Sequence, residues 1–212
     1  MDFEAQMGHL REAFATMASR CRGQLKGALE AFWTRSAEQA NAVKQGDREI
    51  DDDEKAIDEL LLSILALRHP VASDLRMVTA CFKLVTDLER VGDEAVEIAR
   101  AAPAGPVGDA AVVSLLRGMA TATETMLDGA IGAFLARDDA AAARVLESGN
   151  LVDTGYLQVV RDVGAYVMAH PGEAAAAIGT MSVARCLERI ASHATNIASG
   201  ARFAVRDEAM PR

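Results

Sequence analysis

The chain says nearly the same thing twice. Arg35-Ser36 is echoed by Arg137-Asp138, and Val43 by Val145, each 102 residues later. Ile50-Asp51 returns as Val152-Asp153 at the same offset, His69-Pro70 as His170-Pro171 at 101, and Leu88-Glu89-Arg90 as Leu187-Glu188-Arg189 at 99. The matches keep their order, and the small drift in offset is what insertions or deletions in loops produce. Self-similarity of this kind restricts the fold to a duplicated unit.

Punctuation and composition say what that unit is. Pro70, Pro103, Pro106, Pro171 and Pro211 interrupt long stretches of helical periodicity, and alternating β-branched runs are missing. Half of the residues are hydrophobic but only 4% are aromatic, so Ala, Leu, Val and Met must pack the core. Small side chains of that type suit close helix–helix contacts. The spacing predicts helices over about 3–34, 36–68, 71–101, 108–136, 138–169 and 172–204. Ser36, with Gln39 behind it, fits a capping box, and Asp138 is its counterpart. Pro70 stops the second helix and is able to occupy the first turn of the third. Helices this long exceed the globular average of about 11–12 residues and need partners along their whole length. The expected fold is all-α: two tandem three-helix bundles over 1–102 and 108–205, with a linker at 103–107 and a tail at 206–212.

A net charge of −9 and a pI near 5.0 argue against nucleic-acid binding, which depends on Lys and Arg meeting phosphate. Cys21, Cys81 and Cys186 are odd in number, lie far apart and form no CxxC pair, so they read as reduced, buried residues of a cytoplasmic protein. The opening MDFEAQMGHLREAF has no basic segment followed by an apolar one, and no apolar run approaches the ~18–20 residues of a membrane span.

The acids are organised. Asp47, Asp51, Glu54 and Asp58 fall at i, i+4, i+7 and i+11, within about 60° of arc on a helix. Glu89, Asp93 and Glu97 form a second column on the third helix. A tight turn at Pro70 makes the two helices antiparallel. Asp51 and Glu89 are each 19 residues from Pro70, and Asp47 and Asp93 each 23, so the columns stand level. Like charges at i, i+4 repel by about 0.2–0.5 kcal/mol per pair. Three arrangements would relieve this: exposure to water, pairing with Arg48, Lys55, Arg90 or Arg100, or binding of hard cations through oxygen ligands. Other chemistry finds little support. None of His9, His69, His170 and His193 has a Glu three residues before it, as a di-iron site requires. Cys/His zinc spacing, GxxxxGK[ST] and GxGxxG are also missing. His193 reads as a helix-surface or bundle-contact residue and not as a ligand, and Met119, Met126, Met168 and Met181 read as core.

With these pieces in view, the chain resembles the PhoU family of phosphate-signalling regulators. HPVASDLRMV followed by LVTDLERVGDEAVEIA is similar to the first-repeat signature of that family, and VARCLERIASHATNIA to the second. The resemblance covers the whole chain. It implies a non-enzymatic cytoplasmic protein, commonly a homodimer, peripheral to the inner membrane face only through its partners. Those partners would be the ATPase of an ABC-type phosphate importer and a membrane-bound sensor histidine kinase, with repression of the phosphate-starvation response as the outcome. An accessory role for another phosphate permease, or a carboxylate-cluster metalloenzyme, is the alternative.

The resemblance also implies iron or zinc clusters, or other divalent cations, on E(D)xxxD motifs. Glu89–Asp93 carries that motif here, with Glu97, Asp47, Asp51, Glu54 and Asp58 around it. The second half departs from it. Asp93 is replaced by Ser192, Asp47 by Gly149, Glu54 by Tyr156 and Asp58 by Val160, which leaves Asp153 and Glu188 as its weaker candidates. Metal is therefore expected mainly in the first bundle.

Overall fold

The computed structural model describes residues 2–205, so the proposed tail at 206–212 lies outside the described residues. The chain forms α1 (Phe3–Thr34), α2 (Ala37–Arg68), α3 (Ala72–Ala101), α4 (Ala110–Ala136), α5 (Asp139–Ala169) and α6 (Ala174–Val205), with a 3-10 turn at Pro171–Glu173 before α6. The architecture is all-α, with three helices from each repeat.

Local chemistry sets these boundaries. Ser36 Oγ accepts the Gln39 N–H at 3.2 Å, and Asp138 Oδ1 accepts the Ala141 N–H at 2.9 Å. Both caps satisfy an N–H that the helix leaves unpaired. Asp109 does the same for Val112 at 2.9 Å, which places the start of α4 at Ala110 and not at 108. The preceding helices end alike: Arg35 and Arg137, 102 residues apart, take left-handed conformations with φ of 57° and 54°. The two His-Pro turns differ. His69 closes α2 with φ 46°, and the extended Val71 is the residue before α3, so Pro70 stays outside the first turn. His170 has φ −132°, and Pro171 opens the 3-10 turn that delays α6 to Ala174.

Each set of three helices packs mutually, and the halves join mainly through α3 on α6, with a smaller contact of α1 on α4; α2 and α5 lie outermost. Small residues make the main seam close. A Cβ added to Gly200 of α6 would lie 2.6 Å from Leu84 Cδ2 of α3. The core is continuous across the join: Phe14 and Phe134 meet with ring centroids 4.7 Å apart and planes tilted by 58°. Burial of each such side chain stabilises the fold by about 1.5–3 kcal/mol. Met119 and Met126 belong to this core, whereas Met168 is 86% exposed, against expectation, because it falls on the outer face of α5 near its end.

The α3/α6 seam also holds polar pairs. Glu94 is buried and meets Arg189 Nη1 at 2.9 Å, and burial, together with the Glu94 carboxylate, pushes the neighbouring Cys186 thiol pKa up. Asp87 Oδ1 meets His193 Nδ1 at 2.8 Å and accepts from Asn196 Nδ2 at 3.1 Å. At the 99-residue offset Asp87 is equivalent to Cys186, and Glu94 to His193. Asp87–His193 and Glu94–Cys186 are therefore the same contact, seen from the two halves, with different chemistry. Of the helix-surface and bundle-contact roles that the sequence left open for His193, the structure gives it the second.

Candidate functional site

The two acidic columns lie along the packing line of α2 and α3, and the register expected from Pro70 holds. Gly92 of α3 lets α2 approach: an added Cβ would stand 3.2 Å from Ile50 Cδ1 and 3.4 Å from Asp47 Oδ1. Further along, Thr86 Oγ1 donates to Glu54 Oε1 at 3.3 Å, and both residues are 16 positions from Pro70. Level pairing follows from antiparallel helices of equal rise joined by a short turn.

Asp47, Asp51, Glu54, Asp58, Glu89 and Asp93 are half-buried, and Glu97 is exposed. Partial burial raises the carboxyls of Asp47, Glu54, Asp58 and Glu89 above their ordinary pKa values, because desolvation disfavours the charged form. Neighbouring charge adds to this. Asp51 and Asp93 push Asp47 up, Asp58 and Asp51 push Glu54 up, and Asp93, Glu54 and Asp51 act on Glu89. Glu89 thus feels acids from its own helix and from across the seam.

Compensation comes from several sources. Arg90 reaches Glu89 at 3.4 Å and Asp93 at 3.1 Å, and Arg100 pairs with Glu97. Lys55 turns to Asp52 at 3.5 Å instead of to the columns. Gln24, on α1, donates from Nε2 to Asp47 Oδ1 at 2.9 Å. Spacing on α2 and α3 alone conceals this third helix. It equally conceals Asp53, which sits off the column and pairs with Arg20 of α1 at 2.7 Å. The signal that could have found them is the helical phase of Asp53 and of Arg20–Gln24, each facing a helix that the pattern treated separately.

The donor set is all oxygen and suits a hard cation. As placed, no three His, Cys, Asp or Glu side chains among the described residues gather around one point that would hold an ion. Glu89 and Asp93 would have to leave Arg90 to ligate together. In the second half, Asp153 is exposed on α5 and Glu188 half-buried on α6, with Gly149, Tyr156 and Ser192 where the first half has acids. No described helix is long and apolar enough to cross a membrane.

The PhoU domain family model matches residues 14–102 and again 116–201, one match per repeat. A phosphate-specific transport system accessory protein PhoU homolog of Pseudomonas aeruginosa is 32% identical over 96% of this chain and 85% of its own length. The phosphate-specific transport system accessory protein PhoU of Escherichia coli K12 is 32% identical over 92% of this chain and 81% of its own. The crystal structure of PhoU from Pseudomonas aeruginosa superposes with a TM-score of 0.92 at 32% identity, covering 98% of this chain and 100% of that one. That of the phosphate transport system regulatory protein PhoU from Streptococcus pneumoniae, at 22% identity and 98% coverage of each chain, has a TM-score of 0.89 and shares the fold. With both repeats matched and nearly the whole length aligned, the chain belongs to the PhoU family.

Proposed function

We propose that this chain is a regulatory accessory protein of phosphate transport. It acts as a cytoplasmic adaptor between the ATPase of an ABC-type phosphate importer and a membrane-bound sensor histidine kinase, and it represses the phosphate-starvation response when phosphate is plentiful. The observation that carries the reading is whole-length similarity to phosphate-specific transport system accessory proteins, spanning 96% of this chain in one relative. The outermost position of α2 and α5 supports an adaptor, since it leaves one long helix of each half facing outward for partners. Burial holds all three thiols in their protonated form, which suits a binding role better than nucleophilic chemistry.

The test is deletion of the gene in its source organism. Constitutive expression of phosphate-starvation genes at high phosphate is the expected result. Continued repression would refute the regulatory role. Binding of purified chain to the ATPase and to the kinase, without phosphoester turnover, separates the adaptor from a metal-dependent hydrolase. Deletion that disturbs a different phosphate permease alone would favour accessory action there.

We further propose that the first bundle takes a hard cation on Glu89 and Asp93, with Asp47, Asp51, Glu54, Asp58 and Glu97 nearby. Mutual repulsion and partial desolvation of these carboxyls support it, because a cation would relieve both. Elemental analysis checks it: Asp93→Ala should lower metal content and Glu188→Ala should leave it unchanged. Equal metal in wild type and Asp93→Ala would sink the proposal.

A further inference from the structure

The molecule carries two open grooves that the repeat makes equivalent, one between α1 and α2 of about 340 Å³ and one between α4 and α5 of about 360 Å³. At an offset of 102 their linings correspond residue for residue. Both floors are made the same way: Gly27 faces Val43, and Gly129 faces Val145. The walls differ. Arg20, Gln24, Gln39 and Glu49 of the first groove become Ala122, Met126, Ala141 and Leu151 of the second. In the first groove Arg20 of α1 reaches Glu49 and Asp53 of α2 at 3.4 and 2.7 Å, so an ion-paired strap crosses between the helices. No such strap is available to α4 and α5, because Ala122, Leu151 and Gly155 stand at the three equivalent positions.

The second groove is thus apolar and uncrossed, with Leu151 73% exposed on its rim. Large apolar side chains left in water beside a formed groove mark interaction sites. Arg144 is the one charged residue in the lining, and its exposed guanidinium has no carboxylate partner among the described residues of a chain with net charge −9. On α5 the lining runs from Ala141 to Leu151, about 15 Å of helix at 1.5 Å per residue. That length matches about three turns of a partner helix laid along the groove, the mode in which an amphipathic helix places apolar anchors at i, i+3 or i+4 and i+7.

We propose that the α4/α5 groove receives an amphipathic helix of a partner protein, whose apolar side chains seat on Met126, Gly129 and Leu151 and whose carboxylate pairs with Arg144. The site rests on the adaptor reading above and places one partner contact on the second half, away from the acidic columns.

Two variants test it. Ala122→Arg/Leu151→Glu rebuilds the strap of the first groove across the second, and Arg144→Glu reverses the rim charge on an exposed side chain. Each is titrated calorimetrically, as full-length chain, against the importer ATPase and the cytoplasmic portion of the kinase from the same genome. Glu49→Ala, in the first groove, serves as control. The expected result is tenfold or greater weakening toward one partner in both variants and less than twofold change in the control. Wild type that binds neither protein overturns the adaptor reading and this site with it. Wild type that binds, with Arg144→Glu within twofold of it, overturns the site alone. Loss of self-association in the variants with partner binding intact would give the groove to a second copy of the chain and also refute the proposal.

Discussion

Arg189→Ala tests whether the seam between the two halves is as dry as its geometry implies. Glu94 is 3% exposed, and its principal charge partner is Arg189, 2.9 Å away on the facing helix. Breaking a fully buried ion pair by removing one member costs about 3–5 kcal/mol, because the other charge is left unpaired in a low-dielectric site. The Arg189 side chain is itself 50% exposed, so water reaches one end of the pair. The expected loss is therefore about 1.5–3 kcal/mol, the range of a hydrogen bond to a charged group. For a domain of this size 1 kcal/mol moves Tm by about 2–4 °C, which gives a fall of about 3–12 °C. Thermal and urea unfolding followed by circular dichroism at neutral pH measure it. Adding Glu94→Gln to Arg189→Ala removes the stranded charge and should restore at least half of the loss. A single variant within about 0.5 kcal/mol of wild type, or a double variant no better than the single one, would show that Glu94 is hydrated and the seam open.

Other consequences are equally direct. Partial burial and neighbouring acids raise Glu89, so its folded-state pKa lies above its unfolded one, and the charged form is a liability to the fold. The stability it contributes is fully present below the unfolded pKa and is lost as pH rises through the raised folded value. In protein stripped of metal by a chelator, Glu89→Gln should accordingly melt higher than wild type at neutral pH, by an amount that shrinks to nothing below the ordinary carboxylate range near 4. A gap that persists at acid pH would contradict this. Gly200→Ala should destabilise by about 1–3 kcal/mol, since the new Cβ would stand 2.6 Å from Leu84, and the urea midpoint reads it. Thr180→Val removes the buried acceptor of the Val107 N–H at 2.8 Å and should cost about 1–3 kcal/mol by the same measurement. Burial pushes the Cys21 and Cys81 thiols up to about 12 and Cys186 up as well. A disulfide reagent at mildly alkaline pH should label none of the three in the folded chain and all three in guanidinium.

Much of the fold was legible in one dimension because its determinants are local. Ser36 and Asp138 announce helix starts through hydrogen bonds that span three residues. Asp109 is the same kind of residue and escaped notice only because the Pro-Gly linker before it blurs the boundary. The level pairing of the acidic columns was readable too, since helical rise and a tight turn fix height. What stayed hidden needed a third helix. Gln24 against Asp47 and Arg20 against Asp53 depend on how α1 sits on α2, and periodicity within one helix carries no information about that. Met168 shows the opposite error: an apolar residue at helical spacing reads as core until the partner face proves to lie elsewhere.

The sequence by itself therefore determined six helices, their duplication and the asymmetry of charge between the halves, because caps, prolines, helical period and composition act over a turn or two of chain. Only tertiary structure decided that α3 and α6 form the central seam, that Asp87 meets His193 and Glu94 meets Cys186 across it, and that one of two matching grooves is crossed by an ion-paired strap while the other is not. Those outcomes depend on residues about 30 to 110 positions apart reaching hydrogen-bond distance, and such contacts exist only after the helices have packed.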